Sequence, residues 1–161
     1  MLTITEALKT PITDLNVMVI GLPASGKTFF AGWLALNNPA HKLYHTDDYL
    51  QSFDGEKAMY AALEDVTAMI EIGQKTIVEG VAGYRMLRKG AQLETYFPDI
   101  VFEIVAPQQQ RERVYQQERS ERTFTNVQKF DKALTTVLND YKKIVPDLDS
   151  PTWIQVSNQF L

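Results

Sequence analysis

Eight consecutive residues, Gly21-Leu22-Pro23-Ala24-Ser25-Gly26-Lys27-Thr28, carry the spacing G-x-x-x-x-G-K-[ST]. This is the pattern of a loop that cradles phosphates. Two glycines let the backbone curl so that successive N–H groups converge on anionic oxygens. Lys27 adds a cation near the β- and γ-phosphates of a nucleoside triphosphate, and the Thr28 hydroxyl is suited to ligate Mg²⁺. A helix that starts in such a loop turns its positive end toward the same anion. ATP and Mg²⁺ are therefore the expected cofactors, with all eight residues of the loop in contact with the nucleotide.

The other residues able to do chemistry lie downstream. Asp47 and Asp48 form an acid pair. One carboxylate can accept a proton from an attacking hydroxyl, and the other can serve magnesium or hold the first in place; an N-cap for a following helical turn is the plainer reading. Glu79 is expected to orient a magnesium-bound water or contact an acceptor. Arg85, Arg88 and Lys89 cluster shortly after it. They read either as a solvated helix face or, for Arg85 and Arg88, as contacts to an anionic acceptor. A polar run from Gln108 to Thr123 contains Arg111, Arg113, Arg119 and Arg122. Phosphoryl transfer needs cationic groups that close over the triphosphate. The end of this run, Glu118-Arg119-Ser120-Glu121-Arg122, is the expected lid.

These residues need a scaffold that brings them to one place. Asn16 to Ile20 is a short apolar run entering the loop, as a buried strand would be, and Phe29 to Leu36 is helix-compatible and stops at Asn37-Asn38-Pro39. Strands are further expected at 42–46, 76–81, 98–107 and 152–157. Helices are expected at 56–73, where Met59, Ala62, Leu63, Val66, Met69 and Ile70 share a face, and at 127–144. Residues 3–10 read as a short helix with Thr3 and Glu6 spaced as a capping box and Pro11 just beyond. The alternation predicts an α/β fold, a five-stranded parallel sheet with helices on both faces, in a single domain of residues 1–161. In such sheets ligands sit at the carboxyl ends of the strands, which is where Asp47, Asp48 and Glu79 fall.

Composition narrows the partners. Among 161 residues there is no cysteine, which excludes a disulfide framework and thiolate zinc sites and fits a reducing cytoplasm. The formal net charge of −4 argues against sequence-independent binding of long duplexes. The N-terminal residues lack a secretory pattern, and no apolar run is long enough to span a bilayer.

Taken together, these motifs resemble the P-loop kinases, and among them the kinase domain of phage-type polynucleotide kinase. That family opens with Gly-x-Pro-x-Ser-Gly-Lys-[Ser/Thr], matched by residues 21–28, and continues to an Asn-Pro stop and an Asp-Asp-Tyr strand end followed by Gln-Ser. Asn38-Pro39 and Asp47-Asp48-Tyr49-Leu50-Gln51-Ser52 stand in those places. The resemblance implies Asp47 as the general base and Arg122 as a lid arginine acting with Lys27. Thr28, Asp48 and Glu79 are the expected metal contacts, and Arg119 an added nucleotide contact. Leu50 replaces an arginine with which the family grips an acceptor phosphate, and Val78 to Val81 followed by Tyr84-Arg85 is similar to small-molecule and zeta-toxin-like kinases. A compact architecture of this kind also occurs in phage kinases acting on 5-hydroxymethyluracil in DNA. The expected activity is ATP-dependent transfer of the γ-phosphate to a hydroxyl of a nucleic acid or nucleotide, with that hydroxymethyl group as the specific acceptor. A nucleoside or sugar-nucleotide kinase is the alternative, and an NTPase switch a third reading.

Overall fold

The computed structural model describes residues 1–118, 124–145 and 151–159. The elements are β1 (Leu2–Thr3), α1 (Ile4–Leu8), β2 (Val17–Gly21), α2 (Lys27–Asn37), β3 (Lys42–His45), a 3-10 turn (Thr46–Gln51), α3 (Gly55–Glu71), β4 (Thr76–Glu79), α4 (Gly83–Gln92), β5 (Ile100–Val105), α5 (Gln108–Glu118), α6 (Phe124–Ile144) and β6 (Thr152–Ser157). The six strands form one sheet in the order β1-β6-β5-β2-β4-β3, and every pairing is parallel.

The sheet has six strands where five were expected. The extra one, β1, pairs Leu2 with Val156 and Thr3 with Ser157. Two residues are too few to show any apolar alternation, so only backbone pairing to an edge reveals them. The helix expected behind them is present but short. Thr3 caps it, accepting from the Glu6 backbone N–H at 3.2 Å while the Glu6 carboxylate accepts from the Thr3 N–H at 3.1 Å.

β2 is the centre of the sheet, with β4 on one side and β5 on the other. Its four apolar side chains divide by parity, as the period of a strand requires. Val17 and Val19 pack with Ala7 of α1 and with Phe30, Ala31 and Leu34 of α2. Met18 and Ile20 pack with Met59, Leu63 and Val66 of α3, Tyr84 and Leu87 of α4, and Leu134 of α6. All four are fully buried, and each such side chain contributes about 1.5–3 kcal/mol by leaving water. A strand covered on both faces reads as a continuous apolar run. The helices thus lie on both faces, and the loop after β2 leaves the sheet at its middle.

Further ties fix the far ends. Asn16, buried beside the start of β2, accepts from the Thr76 backbone N–H at 3.0 Å and from its hydroxyl at 3.1 Å. Arg88 of α4 donates to Asp140 of α6 at 2.9 Å.

Candidate active site

The loop between β2 and α2 is built on two left-handed residues. Gly26 has φ +94° and Ala24 φ +64°. Gly26 is held to its type by space as well as by φ: a Cβ there would run into the amide of Asn158. Ala24 has no such freedom, and a non-glycine residue in that region carries about 1–2 kcal/mol of strain. The Gly26 carbonyl accepts from the Phe30 N–H at 3.0 Å, so α2 winds directly out of the loop.

Two side chains from later in the chain hold the loop from outside. The Arg111 Nε–H donates to the Pro23 carbonyl at 2.9 Å, and the Asn158 side-chain amide donates to the Ser25 carbonyl at 2.7 Å. The amide plane is rigid, and in a trans peptide the C=O and the following N–H point in opposite directions. Fixing those two carbonyls therefore aims the N–H groups of Ala24 and Gly26 the other way, available to an anion. Both clamps are themselves secured. Arg111 makes a fork to both carboxylate oxygens of Asp131 on α6, at 2.8 and 2.9 Å, and Gln110 donates to the Asn158 carbonyl at 2.8 Å. Arg111 and Asn158 were not among the expected site residues. Asn158 had one signal in the sequence, its place at the carboxyl end of the last strand.

Lys27, the first residue of α2, is 7% exposed and engaged with its surroundings. Beside it the Thr28 hydroxyl donates to the carboxylate of Glu79, at 3.2 and 3.3 Å to the two oxygens. Glu79 ends β4 and is 2% exposed. Its second partner is the ring of His45, whose Nδ1 lies 2.5 Å from Oε1. An ionised carboxylate only accepts, so the proton of that contact belongs to Nδ1. The parallel register sets His45 opposite Glu79 across β3 and β4. Gly80 makes this strand end possible. It has φ +138°, and a Cβ there would collide with the Thr46 hydroxyl.

Asp47 and Asp48 follow within the 3-10 turn, and both are exposed. The turn is pinned to α3 by a 2.7 Å hydrogen bond from the Tyr49 hydroxyl to Asp65. Burial first, and then this carboxylate, pushes the Tyr49 phenol above its ordinary range. Arg85 is half-buried on α4, while Arg88 is engaged with Asp140. Arg119 and Arg122 lie outside the described residues.

The residues present suit a magnesium-bound nucleotide. Thr28 and Glu79 offer a hydroxyl and a buried carboxylate in contact with one another, the hard oxygens that Mg²⁺ takes. Among the described residues no group of three His, Cys, Asp or Glu forms a metal cage.

Comparison with known proteins bears on the fold. No family model matches the chain, and no curated protein matches it. Solved structures do. An uncharacterised protein from Eubacterium ventriosum is 12% identical with a TM-score of 0.56, over 88% of each chain. A candidate kinase from Chloroflexus aurantiacus is 16% identical with a TM-score of 0.57, over 91% of this chain and 90% of that one. A thymidylate kinase from Candida albicans is 14% identical with a TM-score of 0.48, over 89% and 83%. The fold is thus the α/β architecture of the first two of these structures, with a parallel sheet between helices.

Proposed function

We propose that residues 1–161 form one kinase domain that moves the γ-phosphate of ATP to a hydroxyl of a nucleic acid or nucleotide. The observation that carries this reading is the contact between the Thr28 hydroxyl and buried Glu79. It joins the start of α2 to the end of β4, at the end of the sheet where Asp47 is exposed.

In this reading residues 21–28 receive the triphosphate, and Lys27 and Arg122 balance the charge that develops on the transferring group. Arg119 adds a contact to the nucleotide. Thr28, Glu79 and Asp48 would hold Mg²⁺, which when bound screens the phosphate charge. Asp47 orients the acceptor hydroxyl and takes its proton as the new P–O bond forms. The bond from the γ-phosphorus to the β–γ bridging oxygen breaks, and ADP leaves. Arg85 and Arg88 contact the acceptor. Most of the rate would come from positioning and electrostatics.

The specific acceptor in this reading is the hydroxymethyl group of 5-hydroxymethyluracil in DNA. A small-molecule acceptor, a nucleoside or a sugar nucleotide, is the second reading. It is favoured by exposed Leu50, where the polynucleotide kinases that the sequence resembles carry an arginine, and by exposed Asp48, Asp54 and Glu56 around the same turn. These would repel a polyanion.

The test is transfer of labelled γ-phosphate to a panel of hydroxymethyluracil DNA, unmodified DNA, 5′-hydroxyl oligonucleotides and free nucleosides. Label in the modified DNA is the expected result. Label in nucleosides alone would move the assignment to the second reading, and label released only as inorganic phosphate would overturn the kinase.

A further inference from the structure

Glu79 is a carboxylate removed almost completely from water, and two groups satisfy it: the Thr28 hydroxyl and the His45 ring. The orientation of a buried carboxylate is set by the donors that reach its oxygens. The two partners differ in kind. Thr28 is a neutral hydroxyl, with separations of 3.2 and 3.3 Å that divide its donation over both oxygens. His45 addresses one oxygen, Oε1, at 2.5 Å. The ring therefore defines the rotation of the carboxylate, and the hydroxyl follows it.

His45 is itself well placed for this. Its backbone is set opposite Glu79 by the β3–β4 register. Its side chain is 34% exposed, so the ring bridges the buried oxygen pair and the surface on which Asp47 and Asp48 lie.

We propose that His45 is a positioning residue. Its Nδ1–H locks the Glu79 carboxylate in the orientation that meets the Thr28 hydroxyl, so that the two present oxygen together to a nucleotide-bound divalent cation. This rests on the kinase reading above, and concerns how the cation is accepted rather than whether nucleotide binds. Groups that hold metal ligands in place commonly matter about 10–100-fold in metal affinity.

The experiment is calorimetric titration of an unhydrolysable ATP analogue, with and without Mg²⁺, into the wild type and three variants. The gain in affinity on adding Mg²⁺ is the readout. In His45→Ala that gain falls about tenfold, within the range such outer partners command, while metal-free affinity stays unchanged. His45→Asn sets an amide N–H where Nδ1 stood and restores the gain. His45→Gln sets it where Nε2 stood and does not. The comparison of Asn with Gln decides the matter even if the alanine variant fails to fold. An equal gain in wild type, Asn and Gln variants overturns the role of His45 and leaves the kinase reading intact. Failure of the wild type to bind the analogue at all overturns both.

Discussion

Asn158 and Ser25 stand 133 positions apart and meet in a 2.7 Å hydrogen bond from the Asn158 amide to the Ser25 carbonyl. The last strand of the sheet thereby sets the shape of the first loop. Both ends of the bond are buried, and the Cβ that Gly26 lacks is the space the amide occupies. Asn158→Ala is expected to lower nucleotide affinity by about one order of magnitude, the value of one buried hydrogen bond of about 1–1.5 kcal/mol. Asn158→Asp should be worse, because an acceptor would then face an acceptor. Equilibrium titration with a fluorescent nucleotide measures both; unchanged affinity in the aspartate variant would remove the clamp.

The second clamp carries a different expectation. Arg111 and Asp131 form a nearly buried fork, with side chains 7% and 14% exposed. Removing one member of such a nearly buried pair is strongly destabilising, by about 3–5 kcal/mol. Asp131→Ala should therefore lower the unfolding midpoint in urea strongly. The joint replacement of Arg111 by Met and Asp131 by Leu should recover much of the stability while still weakening nucleotide binding, since the Pro23 carbonyl has lost its donor. A double variant that binds nucleotide like the wild type would show that Arg111 serves stability alone.

Asp47 is tested by separating binding from transfer. Asp47→Asn keeps the volume and removes the base. It should reduce phosphoryl transfer by about 10²–10⁴, the usual worth of a general base, with nucleotide affinity nearly unchanged. Lys27→Ala should weaken both. Full turnover in the Asp47 variant would send the search for a base to Asp48 or Glu79.

Much of this site was legible in the sequence, and the reason is that its parts are local. The glycine loop is eight contiguous residues whose spelling follows from backbone geometry. Glu79 at the end of β4 and the acid pair just after β3 lie where the order of strands in the sequence sets them. The parity of Val17, Met18, Val19 and Ile20 shows why the buried strand was equally plain. What could not be read was everything that depends on meeting across distance. His45 looked like one more strand residue until the register put it against Glu79. Arg111 was one of several arginines in a polar run, and nothing in its sequence neighbours tells that it reaches Pro23. β1 was missed because pairing, not pattern, makes it a strand. The bond from Arg88 to Asp140 joins α4 to α6, and the spacing of neither helix announces it.

Alkaline pH should expose a further property of the core. Tyr49, Tyr84, Tyr96 and Tyr141 are all raised above the ordinary phenol value near 10, in each case with burial as the largest cause, Tyr141 to about 12. The folded state holds these protons more tightly than the unfolded chain. Their contribution is therefore complete below pH 10 and is lost as pH rises past it, because the unfolded chain ionises first. Urea midpoints should be flat through neutrality as far as these groups are concerned and drop steeply above about pH 10. Tyr96→Phe, which removes one such phenol, should make the drop shallower.

The order of the strands has a consequence for how the two halves of the site breathe. β2 is paired on both sides and wholly buried, so its amides can exchange with solvent only when the whole sheet opens. β3, which leads into Asp47, lies at one edge of the sheet and pairs with β4 alone among the described residues. Its outer amides can open with far less of the fold. The loop that would grip the donor is therefore hung from the stiffest part of the molecule, and the turn that would meet the acceptor from one of the softest. In the kinase reading, such a site would accommodate a bulky or varied acceptor by yielding on one flank only, while the phosphate it aligned stayed fixed.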